Sequence, residues 1–172
     1  MPRDEILAKI KRGCNLWSQV IPVNFIEAKN TNTAHIKIGF DAFEDSRMAY
    51  VHIPRYFPAD MHINAERDWV KNPDFDLEET IAHEMGHVLG LKHSLDEGAL
   101  MYSDNVPNRI KGLSPEDIKN AQAIYGVRVV PTTIGKRRNT KFSCIKNSLI
   151  CYAPDTDIEF EDEKQQQLRY KI

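Results

Sequence analysis

Residues 83–93 read His-Glu-Met-Gly-His-Val-Leu-Gly-Leu-Lys-His, and the spacing of the three histidines, the acid and the second glycine dictates local geometry. Histidines four positions apart stand one turn apart on the same helical face, so His83 and His87 can offer two imidazoles to a single ion. Glu84 is rotated about 100° from His83 around the axis and reaches the flank of that ion. His93 cannot join them by continuing the helix, because six further residues would carry it ~9 Å along the axis. Gly90 supplies the break, since glycine enters the left-handed conformation without steric cost and lets the chain fold back. Three imidazoles and a fourth position left to water form the pattern of a catalytic rather than a structural zinc site. The array therefore predicts His83, His87 and His93 as zinc ligands and Glu84 as general base. A zinc ion lowers the pKa of its water towards ~7 and polarises a carbonyl, while Glu84 takes the proton and passes it to a leaving amine.

The flanking sequence places this array on a helix. Asp76 is a good N-cap, Glu79 three residues later fits a capping box, and Gly90 is placed to end the helix. Upstream, Ile6, Leu7, Ile10, Cys14, Trp17 and Val20 or Ile21 recur at three- and four-residue intervals, predicting an amphipathic helix that Pro22 stops. Cys14 falls on its apolar stripe and reads as a core residue. Val23 and Phe25, then Ala34, Ile36, Ile38 and Phe40, alternate with polar residues as half-buried strands do, with loop-like Asn30–Thr33 between them. Ala49, Val51 and Ile53 suggest a third strand, and His35 lies on the polar, solvated side of its own. The stretch from Asp60 to Phe75 lacks a clear period and reads as a long surface connection anchored by Met61, Ile63 and Trp69. Ser114, Pro115, Glu116 and Asp117 open a last helix with cap, proline and first-turn acids; Ile118, Ala121, Ile124 and Tyr125 are its buried face and Gly126 its end.

At 172 residues the chain has room for one domain and a tail. A formal net charge of -2 gives no positive field to gather phosphates, so nucleic acid is not the expected partner. Apolar runs fall well short of the ~20 residues of a spanning helix, and the N-terminus lacks the apolar core and cleavage site of a secretory signal, which favours an intracellular start. Three cysteines argue against a disulfide framework; Cys144 and Cys151 can pair with each other or stand as free thiols. Residues 127–172 carry a basic cluster (Lys136, Arg137, Arg138), a potential strand pair around Cys144 to Tyr152 and an acidic run from Asp155 to Glu163. They read as a C-terminal extension of unknown role, partly disordered, attached to a domain of residues 1–126.

Beyond the histidines, Ser94 and the Ala99-Leu100-Met101-Tyr102 segment resemble the metzincin zinc metalloproteases, and within them the matrixins. Leu113–Ile118 through Ala123–Gly126 is similar to that family's final helix. The resemblance implies an α+β, zincin-like fold over about residues 4–126: a twisted mixed sheet with an N-terminal helix, an active-site helix and a C-terminal helix. It further implies that Met101 packs beneath the zinc ligands and that Asp117 braces the turn around it. The Asp60–Asn64 segment up to Trp69 resembles the strand and loop that cross above the active-site helix and receive substrate as an added strand. The activity implied is that of a metalloendopeptidase, a monomer acting on protein or peptide substrates.

Departures from the family are equally specific. Matrixins carry a structural zinc and calcium sites, but the stretch from Phe40 to Pro58 is short and lacks a His-x-Asp pair. His62 matches one structural ligand position and His52 is a second candidate, whereas Asn64 and Arg67 stand where acids are expected. Two histidines without a nearby acid make a poor zinc site, so one catalytic zinc is expected, without a second structural zinc or calcium. No propeptide with an inhibitory cysteine is seen, nor the sheet strand that precedes the first helix in the family. Ser103-Asp104-Asn105 replaces the proline and tyrosine that often wall the specificity pocket. The resembled family is largely secreted, in conflict with the intracellular reading of the N-terminus. An alternative function is a catalytically idle zinc-binding domain that binds a protein partner; the intact Glu84 argues against it.

Overall fold

The computed structural model describes residues 1–53, 58–72, 74–104, 106, 109–129 and 166–171. The amphipathic repeat near the N-terminus forms helix α1, Arg3–Val20, whose buried residues Ile10, Gly13, Cys14 and Trp17 follow the predicted stripe. Helix α2, Leu77–Val88, carries the first part of the histidine array, and helix α3, Pro115–Tyr125, starts at the predicted Ser114 cap with its capping box to Asp117 complete. Strands β1 (Val23–Glu27), β2 (Ile36–Asp41), β3 (Ala49–His52), β4 (Ala59–Asn64) and β5 (Gln166–Lys171) make one sheet in the order β1-β5-β2-β4-β3. Only β3 runs antiparallel to its neighbour, so the sheet is mixed and the fold is α+β. Among the described residues, no helix is long and apolar enough to cross a membrane.

The core lies where α1 and α2 cover the sheet. Ile36, Met61, Ile63 and Tyr170 from the sheet meet Ile10 and Trp17 of α1 and Ile81 and Met85 of α2, all nearly inaccessible to solvent. Each such side chain contributes roughly 1.5–3 kcal/mol relative to exposure, which makes this contact the main source of stability. The two helices approach closely because position 13 is glycine: a Cβ there would stand 2.7 Å from the Glu78 carbonyl oxygen. Across the same contact the Trp17 indole N–H donates to the Ala82 carbonyl at 2.8 Å, pinning α1 to the turn that precedes His83.

Two expectations are corrected here. Residues 59–64 are not part of a surface connection but a strand, as the family resemblance implied for Asp60–Asn64, and it lies inside the sheet, paired with β2 on one side and β3 on the other. Its buried Ala59, Met61 and Ile63 alternate with Asp60 and His62, and pairing on both sides overrides the weak strand preference of Ala, Asp, His and Asn. The strand at the sheet edge is therefore β3, not the segment from Asp60. The extension expected for 127–172 is likewise not wholly an appendage, because Gln166–Lys171 forms β5 in the middle of the sheet. Only Leu168 and Tyr170 mark that strand in sequence, too few positions for a period-two pattern to register. The basic cluster, the acidic run, Cys144 and Cys151 lie outside the described residues.

Candidate metal centre and active-site cleft

Helix α2 begins as its sequence directs: the Asp76 side chain accepts the backbone N–H groups of Glu78 and Glu79. Glu79 does not close the expected capping box. Its carboxylate instead accepts from Arg109 at 2.6 Å and from the Gly112 N–H at 2.8 Å, tying the loop before α3 to the first turn of α2. Lys111 pairs with the Asp76 carboxylate from the same loop.

At the other end, Gly90 adopts φ 88°. The Leu91 N–H reaches back to the Gly86 carbonyl and the Gly90 N–H to that of His87, both at 2.9 Å. This is a Schellman-type stop, which satisfies the last carbonyls of the helix and reverses the chain. The reversal brings His93 beside His87, with their Nε2 atoms 3.1 Å apart. The three imidazoles place one ring nitrogen each within 4.8 Å of one another, so His83, His87 and His93 are brought together and could hold a metal ion.

The second nitrogens decide the tautomers. His83 Nδ1 lies 2.8 Å from the Leu100 carbonyl oxygen and His87 Nδ1 2.9 Å from that of Leu91. A carbonyl only accepts, so each Nδ1 carries the hydrogen and each Nε2 presents a lone pair to the centre of the triad. Nitrogens ~2.0–2.1 Å from a shared tetrahedral zinc stand roughly 3.3 Å apart, close to the observed His87–His93 separation. The donor set fits zinc, which the family described below also implies. Burial holds the pKa of His83 down to about 4, assisted by its two histidine neighbours, and burial likewise lowers that of His87. Both are therefore neutral ligands at ordinary pH.

Beneath the triad, the Met101 sulfur occupies the space left by Gly86, where a Cβ would lie 2.3 Å from it. Asp117, 1% exposed, accepts the N–H groups of Leu100 (2.7 Å), Met101 (3.1 Å) and Ser114 (2.8 Å). The Leu100 peptide thus links the Asp117 carboxylate to the His83 ring. Ser94 donates its N–H to the Met101 carbonyl and its hydroxyl to Glu116 at 2.5 Å, fixing the backbone next to His93.

Glu84 is 7% exposed, and burial raises its pKa to about 7 against the opposing pull of Arg47. Arg47 sits in the β2–β3 loop, bonded to Asp45 and stacked 4.6 Å over the Tyr50 ring. Both line the cleft of about 870 Å³ that contains the triad, with β3 along one side and the segment from Ala99 to Val106 along the other. Among the described residues β3 pairs only with β4, so its second edge faces this cleft.

Among the described residues, the two histidines considered for a second metal belong to no group of three potential ligands, but His62, expected to lack a nearby acid, has one beside it. His62 Nδ1 bonds the Asp41 carboxylate at 2.6 Å while its ring stacks on Tyr50 at 4.7 Å, and His52 is exposed opposite Asp60. His35 is half-buried rather than solvated, because the Arg169 backbone of β5 packs alongside it. Arg47, Arg109 and the carbonyls of Leu91 and Leu100 escaped the sequence reading, since their roles arise from tertiary contacts that no local spacing encodes.

Comparison with known proteins decides the family, as the sequence model of Matrixin matches residues 1–126. The chain is a matrixin. Similar proteins include an interstitial collagenase of Sus scrofa, 34% identical over 138 residues, covering 73% of this chain and 29% of that protein. Metalloendoproteinase 1-MMP of Arabidopsis thaliana is 31% identical over 142 residues, with coverages of 72% and 38%. Matrix metalloproteinase-27 of Tupaia belangeri is 31% identical over 182 residues, with coverages of 94% and 32%. This matrixin thus spans about a third of the length of these curated relatives. Strand β5 lies beyond the residues that the family model matches.

Proposed function

We propose that this matrixin is a zinc-dependent endopeptidase that hydrolyses peptide bonds in protein substrates, with His83, His87 and His93 holding one zinc ion and Glu84 serving as general base. The observation that carries the reading is the convergence of three imidazoles on one point beside a buried carboxylate, inside a cleft walled by a sheet edge. Zinc, when bound, supplies a Lewis acid that polarises the scissile carbonyl and acidifies water. An extended peptide pairs with the outer edge of β3 as an added strand, which sets its scissile bond across the triad. Glu84 receives the proton of the attacking water and delivers it to the departing amine nitrogen. Burial works to raise its pKa, which helps the carboxylate to take up that proton. The Leu91 and Leu100 carbonyls keep the histidine rings aimed, and Asp117 holds the Leu100 peptide in place.

No second structural zinc or calcium belongs to this reading, and the enzyme acts as a monomer. The test is metal analysis together with cleavage of a quenched peptide. One zinc per chain and turnover that a chelator removes and zinc restores are expected. A zinc-loaded protein that cleaves neither peptide nor unfolded protein would reduce the chain to a binding domain.

A further inference from the structure

Strand β5 enters the sheet from beyond α3, with residues 126–165 between them. It lies parallel to both neighbours, in register from Val23↔Gln166 to Glu27↔Tyr170 on one side and with Ile36↔Tyr170 and Lys37↔Lys171 on the other. The Ala28 N–H donates to the Tyr170 carbonyl at 2.7 Å and the His35 N–H to the Arg169 carbonyl at 2.9 Å. Tyr170 is 1% exposed and among the largest fully buried side chains, Leu168 packs against the same core, and Lys171 Nζ lies 3.3 Å from Glu27.

The walls of this slot are held by other elements. Strand β1 follows α1 directly and packs against it, while β2 is paired along its whole length with β4. Without β5, β1 would have no strand partner among the described residues and β2 would keep one, leaving a gap one strand wide between walls fixed from outside. A tight turn sets register in a hairpin, but no such turn joins β5 to either neighbour, so the slot itself must select the segment. Its means are visible: backbone pairing on both sides, two inward apolar positions at Leu168 and Tyr170, and the Glu27 carboxylate for Lys171.

We propose that the space between β1 and β2 is a strand-binding site for Gln166–Lys171, which is recognised by non-covalent contacts alone and therefore docks without a covalent link to the rest of the fold. Occupancy completes the core under α1, and α1 in turn holds α2 through the Trp17–Ala82 bond one residue before His83. The bound strand is thus a condition for a stable metal-bearing helix.

The first test uses the full chain. Leu168→Pro removes an N–H and bars ladder pairing, and Tyr170→Ala empties the core position. Both are expected to lower Tm by about 10 °C and to speed amide exchange at Ala28 and His35 at least ~10-fold. The second test expresses the same sequence as two polypeptides, 1–150 and 151–172, with an affinity tag on the latter. The tagged piece is expected to retain the longer one through purification, and Tyr170→Ala to weaken that retention by tenfold or more. Unchanged Tm and unchanged exchange at Ala28 and His35 in both full-length variants would overturn the proposal, as would recovery of the tagged piece alone. None of these measurements involves peptide cleavage, so they stand or fall apart from the endopeptidase reading.

Discussion

Glu84 and its neighbours on α2 show how far burial prepares a side chain for chemistry. Its carboxyl is enclosed enough for its pKa to reach about 7, and the same enclosure keeps His83 and His87 neutral. Substituting Glu84→Gln preserves shape and removes the base. Peptide turnover should fall by roughly 10²–10⁴-fold while bound zinc, measured by elemental analysis, stays at the wild-type level. Asp117 acts one step further out. Asp117→Ala leaves the Leu100, Met101 and Ser114 N–H groups without their shared acceptor and frees the peptide that aims His83, so zinc affinity should drop about 10–100-fold in competition with a chromogenic chelator. Asp76 carries a pH-dependent share of stability. Burial acts to raise its pKa, but the bond from Lys111 and the N–H groups of Glu79 and Glu78 prevail and hold it below the ordinary carboxylate range. A folded-state pKa below the unfolded one stabilises above the unfolded value, ~3.9, and that share is lost as pH falls through the folded value. The deficit of Asp76→Ala in urea denaturation should thus be about 0.5–2 kcal/mol at pH 7 and should shrink below pH ~4. The ligands and the base were legible because helical spacing is a local property of the chain. Arg47 was not, because only the folded β2–β3 loop places its cation in the cleft with Glu84.

At the level of elements, the α1–α2 contact is the one on which the site depends most directly. Alanine is a better helix former than glycine by about 1 kcal/mol, yet Gly13→Ala would push a Cβ to 2.7 Å from the Glu78 carbonyl, with Ile81 and the Ala82 nitrogen close behind. Overpacking of this kind costs about 1–3 kcal/mol, so the substitution should lower Tm in a thermal melt despite the gain in propensity. The three described α-helices could be read from the sequence because α1 and α3 each join an apolar stripe to a strong cap or stop, and α2 joins the histidine spacing to the Asp76 cap and the Gly90 stop. The strands were less legible in proportion to how much of their stability is supplied by neighbours. β1 and β2 alternate clearly; β4, built of small, acidic and amide residues around Met61 and Ile63, is a strand chiefly because β2 and β3 make it one. That error carried a second with it, since taking the Asp60 segment for the edge hid the fact that β3 borders the cleft.

For the molecule as a whole, the three histidines join the end of α2 to the segment that follows its stop, so an ion they share ties two parts of the chain together. Removing zinc with a chelator should lower Tm, and returning zinc should restore it, by the mass-action stabilisation of a ligand that binds the folded state alone. A calorimetric or dye-monitored melt at several zinc concentrations measures this. The extent of the domain was the least legible property. The motifs end at Gly126, and nothing in the composition of 127–172 announces that a few residues near its end return to the middle of the sheet. That placement bears on how the protein is made. Domains ordinarily take shape as they leave the ribosome, from the N-terminal side onward. Here the three described α-helices and the other four described strands emerge before the strand that lies among them, so the sheet as described is complete only once residue 171 has been synthesised. During translation the cell therefore handles a sheet whose middle strand has yet to emerge.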